Sequence, residues 1–287
     1  MPAVKTAFVL AGGGSLGAVH VGMLKALVAR GIAPDLVVGS SVGAINAAYF
    51  AGAPNRDGVT GLDRIWRRLH RRDVFPVAPL GGLFGLFSKR DYLVDPTGLR
   101  KLLERHLPYG LLEEAQVPCH VIATEVLGGS EVRLSSGPVV DALLASAAIP
   151  AVFPPVRLDG RYLVDGGIAS NTPVSAAVEA GARRVIVLPT GIACALERPP
   201  RGVIALALHA LNLLIARQLV ADVRRLADRA ALKVVPPLCP LDVTVYDFSR
   251  TGVLIDQAEE TTLQWIDKGG LQGGTELGAL LPHAHGG

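Results

Sequence analysis

LVVGSSVGAINAAYFA, residues 36–51, is the stretch from which the fold is read. Leu36, Val37 and Val38 make a short apolar strand that runs straight into Gly39-Ser40-Ser41-Val42-Gly43, and residues 44–51 continue as a helix of small side chains. Strand, tight turn and helix in that order form the unit of a parallel sheet, because parallel strands need a covering crossover. The turn also carries a G-x-S-x-G pattern. Only Ser41 has glycine both two places before and two places after it, which leaves room for a strained turn that exposes a hydroxyl. Ser41, not Ser40, is the candidate nucleophile.

Upstream, the same unit recurs. Residues 6–11 form an apolar strand, Gly12-Gly13-Gly14-Ser15-Leu16-Gly17 follows, and residues 15–30 form a helix with Leu16, Val19, Met23 and Leu27 on one face, ended by Gly31. Glycines let the backbone approach a ligand, and free N–H groups at a helix start attract negative charge, so the loop reads as an anion site. It also fits G-x-G-x-x-G, the dinucleotide fingerprint. The confirming acid is out of place, since Asp35 precedes the second strand and a ribose-binding acid should follow it. A purely structural glycine turn stays open as a third reading.

Downstream, Val59, Leu62, Ile65, Trp66 and Leu69 recur at helical spacing within a predicted helix over 59–72, and Arg64, Arg67, Arg68, Arg71 and Arg72 crowd its remainder. Residues 74–87 are rich in Pro, Gly, Leu and Phe and read as a long apolar loop, of the kind that carries function. Together the arginines and that loop fit a solvated helix with a covered loop, or else a surface for anionic lipid headgroups. Strands are predicted at 120–126, 131–134, 156–158, 162–164, 184–188 and 232–235, and helices at 138–148, from Pro173, at 203–230 and at 253–266. Asp159-Gly160 marks a hairpin between two of these strands. The predicted class is α/β, a three-layer α/β/α sandwich with a mainly parallel central sheet. Residues 1–268 read as one catalytic domain, and 269–287 as a Gly-rich, flexible tail.

Of 287 residues, 50% are hydrophobic and 18% charged, which excludes a disordered chain. The net charge of +3 comes without a basic tail, so nucleic acid is not an expected partner. Cys119, Cys194 and Cys239 are too scattered for a disulfide framework or a metal site, and no cofactor is expected. The N-terminal apolar run is too brief for a signal peptide. The longest apolar stretch, 203–216, falls short of the roughly 20 residues a membrane-spanning helix needs. A cytoplasmic protein is the expectation, and peripheral contact with an anionic membrane stays open beside it.

A serine nucleophile needs a proton acceptor. His20, His70, His106, His120, His209, His283 and His285 all lie where a late catalytic loop would not be. Asp165 stands at the end of a strand before Gly166 and Gly167, which would let the chain fold toward Ser41, although Asp-Gly is also ordinary turn chemistry.

Taken in order, the three glycine-marked sites resemble those of the patatin-like phospholipase family. Gly12 to Gly17 is similar to its oxyanion-hole loop, with Gly12, Gly13 and Gly14 as donors and Gly17 closing it. Gly39 to Gly43 is similar to its nucleophile elbow, and Asp165-Gly166 to its catalytic Asp-Gly pair. The segment from Ser146-Ala147-Ala148-Ile149-Pro150 to Phe153-Pro154-Pro155 and the run Asp165 to Pro173 add to the likeness, which covers residues 6–190, with family-like residues again from Phe248 to Gln257. One departure is Leu16, where the family often has a basic residue. The resemblance implies a serine acyl hydrolase with a Ser41-Asp165 dyad and no histidine, acting on lipid esters such as phospholipids or lysophospholipids. An acyltransferase using the same acyl-enzyme, or a nucleotide-binding module using the glycine loop, are the alternatives.

Overall fold

The computed structural model describes residues 6–75, 92–191, 203–239, 241 and 243–272. In chain order these form β1 (Thr6–Leu10), a 3₁₀ turn (Gly14–Gly17), α1 (Ala18–Ala29), β2 (Leu36–Ser40), α2 (Val42–Gly52), α3 (Arg56–Arg68) and α4 (Arg71–Val74). There follow α5 (Thr97–His106), β3 (Cys119–Glu125), β4 (Glu131–Leu134), α6 (Val139–Ser146), β5 (Val156–Leu158) and β6 (Arg161–Asp165). The remainder is α7 (Gly167–Ser170), α8 (Val174–Glu179), β7 (Arg184–Leu188), α9 (Val203–Leu226), β8 (Ala231–Val234) and α10 (Thr251–Asp267).

Strands β3, β2, β1, β7 and β8 run parallel, side by side, as the strand-turn-helix pattern predicts. Their side chains alternate between two cores, so the central strands are apolar throughout. Val9, Val38 and Val187 face α8 and α9, while Phe8, Val37 and Ile186 face α1, α2 and α10. These are the three layers, helices on each side of a mainly parallel sheet.

Three strands are antiparallel, and their pairing decides the site. β4 pairs with Val121 to Thr124 of β3, so it occupies one edge of that strand. β2 and β6 must therefore share the other edge, β2 at Cys119 to Ile122 and β6 at Ala123 to Glu125. They enter from opposite directions and meet end to end, with Ser40 opposite Ile122 and Asp165 opposite Ala123. β5 and β6 form the expected hairpin; Asp159 and Gly160 both have positive φ, 48° and 76°, as a two-residue primed turn requires.

The structure departs from the sequence pattern in several places. α1 is buried on nearly every side rather than along one stripe, because α10 covers it, tied by Lys25–Glu259 at 2.5 Å and Arg30–Asp267 at 2.7 Å. The helix predicted over 59–72 is broken at Leu69 and His70, which are extended. Asn55 caps its first part by accepting the Asp57 and Gly58 amides, and Asp73 restarts it by accepting the His70 N–H at 2.8 Å. Helix α5 was not foreseen. The apolar 74–87 stretch falls mostly outside the described residues, as do Cys194, the His209 side chain, His283 and His285. Of the predicted tail, residues 269–272 form turns and the rest is likewise outside.

Candidate active site

The Ser41 backbone sits at φ 55° and ψ −127°, a conformation that non-glycine residues rarely adopt. Its surroundings leave no slack. A Cβ at Gly39 would strike the Gly43 backbone, and one at Gly43 would strike the Leu10 and Ala11 carbonyls. The spacing of those glycines is thus what allows β2 to turn into α2 with Ser41 at the apex. A Cβ at Gly17 would meet Val42, and one at Gly166 would meet the Ile122 carbonyl and the Ser40 hydroxyl, so the remaining motif glycines serve close packing around the same apex.

Because β2 and β6 meet end to end, the Ser41 hydroxyl reaches the Asp165 carboxylate, donating to Oδ2 at 2.6 Å. The other oxygen, Oδ1, accepts the Gly167 N–H at 2.7 Å. Both residues are 7% exposed. Burial pushes the Asp165 carboxyl up to about 6, against the pull of the Ser41 and Gly167 hydrogen bonds, which favour the charged form. Ser40, by contrast, has a buried hydroxyl with no hydrogen-bond partner among the described residues.

Ser146 fastens the three strands at this point. Its hydroxyl accepts the Ser41 N–H at 2.9 Å and donates to the Ile122 carbonyl at 2.5 Å, while its own carbonyl accepts the Gly166 N–H at 3.1 Å. Thr124 donates to the Asp165 carbonyl at 2.8 Å and accepts the Ala169 N–H at 3.1 Å. Sequence reasoning gave neither residue a role, although Ser146 lay inside a family-like segment.

The glycine loop lies directly beside Ser41: a Cβ at Gly12 would stand 3.3 Å from the Ser41 Cβ. Its amides are not equivalent. The Gly12 N–H donates to the Asn171 carbonyl at 2.9 Å, so Gly12 anchors the turn and is not the free donor expected of it. The Gly12 carbonyl accepts from Thr190 Oγ1 at 2.6 Å, and the Ser15 N–H donates to the Val245 carbonyl at 2.9 Å. Among the described residues, the Gly13 and Gly14 N–H groups have no acceptor. Asp35, the displaced ribose acid, instead accepts the Thr6 N–H at 2.8 Å. Thr190 and Val245 carry no motif signal, Asn171 lies in the family-like run 165–173 with no role assigned to it, and the tertiary contacts reveal all three.

No histidine among the described residues hydrogen-bonds Ser41. His20 is wholly buried, and burial pushes it down to about 3, so the ring is neutral. Its Nε2–H donates to the Leu188 carbonyl at 3.0 Å and Nδ1 accepts from Asn46 at 3.3 Å. Asn46 in turn donates to the Gly17 carbonyl and accepts from the Trp66 indole, both at 2.9 Å. This satisfied core network braces the end of the glycine loop. Burial also lowers His120, to about 4, and His106.

From Ser41 and Gly14 an apolar cleft of about 800 Å³, measured out to its open mouth, extends between α2, α3 and α5. Ile45, Leu62, Ile65, Leu103 and Phe153 are typical of its lining. The outer face of α3 and α4 is basic. Arg67 pairs with Asp63 at 3.0 Å and with Asp256 of α10, whereas Arg64, Arg68, Arg71 and Arg72 form no ion pair among the described residues. Cys119 is buried, its thiol pushed up to about 12 by burial. Among the described residues no helix is long and apolar enough to cross a membrane, and no group of three His, Cys, Asp or Glu side chains could hold a metal.

The family model for patatin-like phospholipases matches residues 8–178, a span that includes Ser41, Asp165 and the glycine loop. A patatin-like phospholipase domain-containing protein of Caenorhabditis elegans is 32% identical over 194 residues, 64% of this chain and 13% of its own length. An uncharacterized NTE family protein of Mycobacterium bovis is 30% identical over 171 residues, 60% of this chain and 45% of its own. This chain thus spans less than half the length of these relatives. Human GIVD cytosolic phospholipase A2, solved with a methyl gamma-linolenyl fluorophosphonate inhibitor and terbium chloride, shares the fold at a TM-score of 0.50 and 14% identity, covering 96% of this chain and 59% of that one.

Proposed function

This chain belongs to the patatin-like phospholipase family, and from that premise we propose that it is a serine acyl hydrolase cleaving lipid carboxylic esters through Ser41 and Asp165. The observation that carries the reading is the 2.6 Å hydrogen bond from the Ser41 hydroxyl to a buried carboxylate, at the head of an apolar cleft. In the proposed reaction Ser41 Oγ attacks the ester carbonyl carbon and its proton passes to Asp165. A carboxyl held at about 6 suits that task, being ionised at neutral pH yet basic enough to take a proton. The Gly13 and Gly14 N–H groups bind the oxyanion. Collapse of the tetrahedral intermediate breaks the ester bond, and the departing alcohol takes the proton from Asp165. Water then attacks the acyl-enzyme in the same way, giving free fatty acid and regenerated Ser41. None of these steps calls on a metal ion, and turnover should survive EDTA.

In this reading the acyl chain of the substrate lies in the apolar cleft, and the arginines of α3 and α4 that form no ion pair among the described residues support contact of its surroundings with an anionic lipid surface. Reversing the charge of Arg64, Arg68, Arg71 and Arg72 together should reduce co-sedimentation with phosphatidylglycerol vesicles and leave hydrolysis of a soluble ester intact. Unchanged co-sedimentation would remove the membrane from the proposal.

The deciding experiment is fluorophosphonate labelling with p-nitrophenyl ester turnover in parallel. Label and turnover should vanish in Ser41→Ala, persist in Ser40→Ala, and turnover should collapse in Asp165→Asn. Labelling that survives Ser41→Ala sinks the assignment.

A further inference from the structure

Beyond Ser41 the cleft follows its three helices. On α2 the wall is built by Val42, Ile45, Asn46 and Tyr49, residues spaced along one face. At a rise of 1.5 Å per residue, Tyr49 stands about 12 Å along the helix from Ser41. α3 crosses that wall in the opposite sense. Trp66 meets α2 at Asn46, whereas farther from Ser41 the Tyr49 hydroxyl lies so close to Gly61 that a Cβ there would collide with it. The ring of Tyr49 therefore spans the gap between the two helices, and only glycine on α3 leaves space for its tip. The segment after α5 closes on the same place. The Tyr109 hydroxyl donates to the Ala48 carbonyl at 2.6 Å, and Pro108 and Tyr109 lie against Gly52 at the end of α2. His106, three residues before Tyr109, lines the same cleft.

The lining is mostly Val, Ile, Leu and Phe, and among these Tyr49 presents a half-buried phenol. We infer that Tyr49, braced against Gly61, forms a stop about 12 Å from Ser41 that sets the acyl-chain length this cleft accepts. This rests on the acyl hydrolase reading for its meaning, but the stop is a property of the cleft and is measurable without turnover. Each methylene buried between Ser41 and Tyr49 strengthens binding about fourfold, and a methylene beyond the stop gains nothing.

The test uses the full chain carrying Ser41→Ala and uncharged probes, the methyl esters of hexanoic, octanoic, decanoic, lauric and palmitic acids, displacing an environment-sensitive dye. Affinity should climb with chain length and then level off. Adding Tyr49→Ala should move the break to longer chains, so that the longest ester gains roughly tenfold or more over the octanoate. Tyr49→Trp should move it to shorter chains and Tyr49→Phe should leave it in place. A break that stays put in Tyr49→Ala, with circular dichroism like that of the parent, overturns the inference, as does affinity that climbs without a break in the parent. In protein with Ser41 intact, the kcat/KM profile of p-nitrophenyl esters should shift in the same sense. If the probes bind with the shifted break but no ester is turned over, the stop stands and the hydrolase reading fails.

Discussion

Asp165 holds two oxygens in two jobs, one receiving the Ser41 hydroxyl and the other the Gly167 N–H. Its ionised form is required for the proposed base, so kcat/KM for a soluble ester should fall as pH drops through about 6, with a single protonation on the acid limb. The same group has a stability signature. Its folded value lies above the unfolded value, so ionisation costs the native state at high pH and costs nothing below about pH 4. Asp165→Asn should therefore raise stability at pH 8 by about 1–3 kcal/mol, and the gain should disappear at pH 4. Urea midpoints at the two pH values check both halves. Ser146→Ala should act in the opposite direction, since it strands the buried Ser41 N–H without an acceptor at a cost of about 1–3 kcal/mol, readable in the same titration. At this scale the sequence disclosed Ser41 and Asp165 through their glycines, but not Ser146, Thr124 or Asn171. Those act through hydrogen bonds to residues distant in the chain, which leave no spacing pattern to read.

Among the elements, the β2-to-α2 turn is the one the sequence described best. Its glycines are constrained by direct backbone contact, and Gly43→Ala should destabilise the protein and abolish fluorophosphonate labelling, because the new methyl meets the Leu10 and Ala11 carbonyls. Thermal unfolding and labelling together check this. The arginine helix was described less well. Apolar periodicity continues through Leu69, so nothing in the pattern signals a break; the break comes from Asp73 capping the His70 N–H. α1 misled for a related reason. A one-sided stripe was read into a helix that is apolar nearly all round, and such a helix is buried on both sides once a partner covers it. That partner is α10, more than 200 residues away in the chain.

For the whole molecule, the segment from Val243 to α10 completes a site whose motifs all lie before residue 178. Thr244 and Val245 hold Ser15 of the glycine loop, Phe248 stacks on Trp66 with centroids 6.3 Å apart, and Thr251 donates to the Trp66 carbonyl at 3.1 Å. We propose residues 1–268 as the catalytic unit on this basis. A chain ending after residue 242 should lose Ser41 labelling and cooperative unfolding, and one ending after residue 272 should keep both; labelling that survives the shorter truncation would refute the unit.

The sequence by itself determined the parallel α/β class, the elbow at Ser41 and the glycine loop, because each depends on local constraints: apolar runs, glycine spacing and strand-to-helix order. Tertiary structure alone decided that Asp165 meets Ser41. That meeting follows from two strands entering one edge of β3 from opposite ends, with Ser40 and Asp165 opposite consecutive residues, Ile122 and Ala123. Pairing of this kind joins positions more than 120 residues apart, and no local pattern encodes which edge, or which register, a distant strand will take.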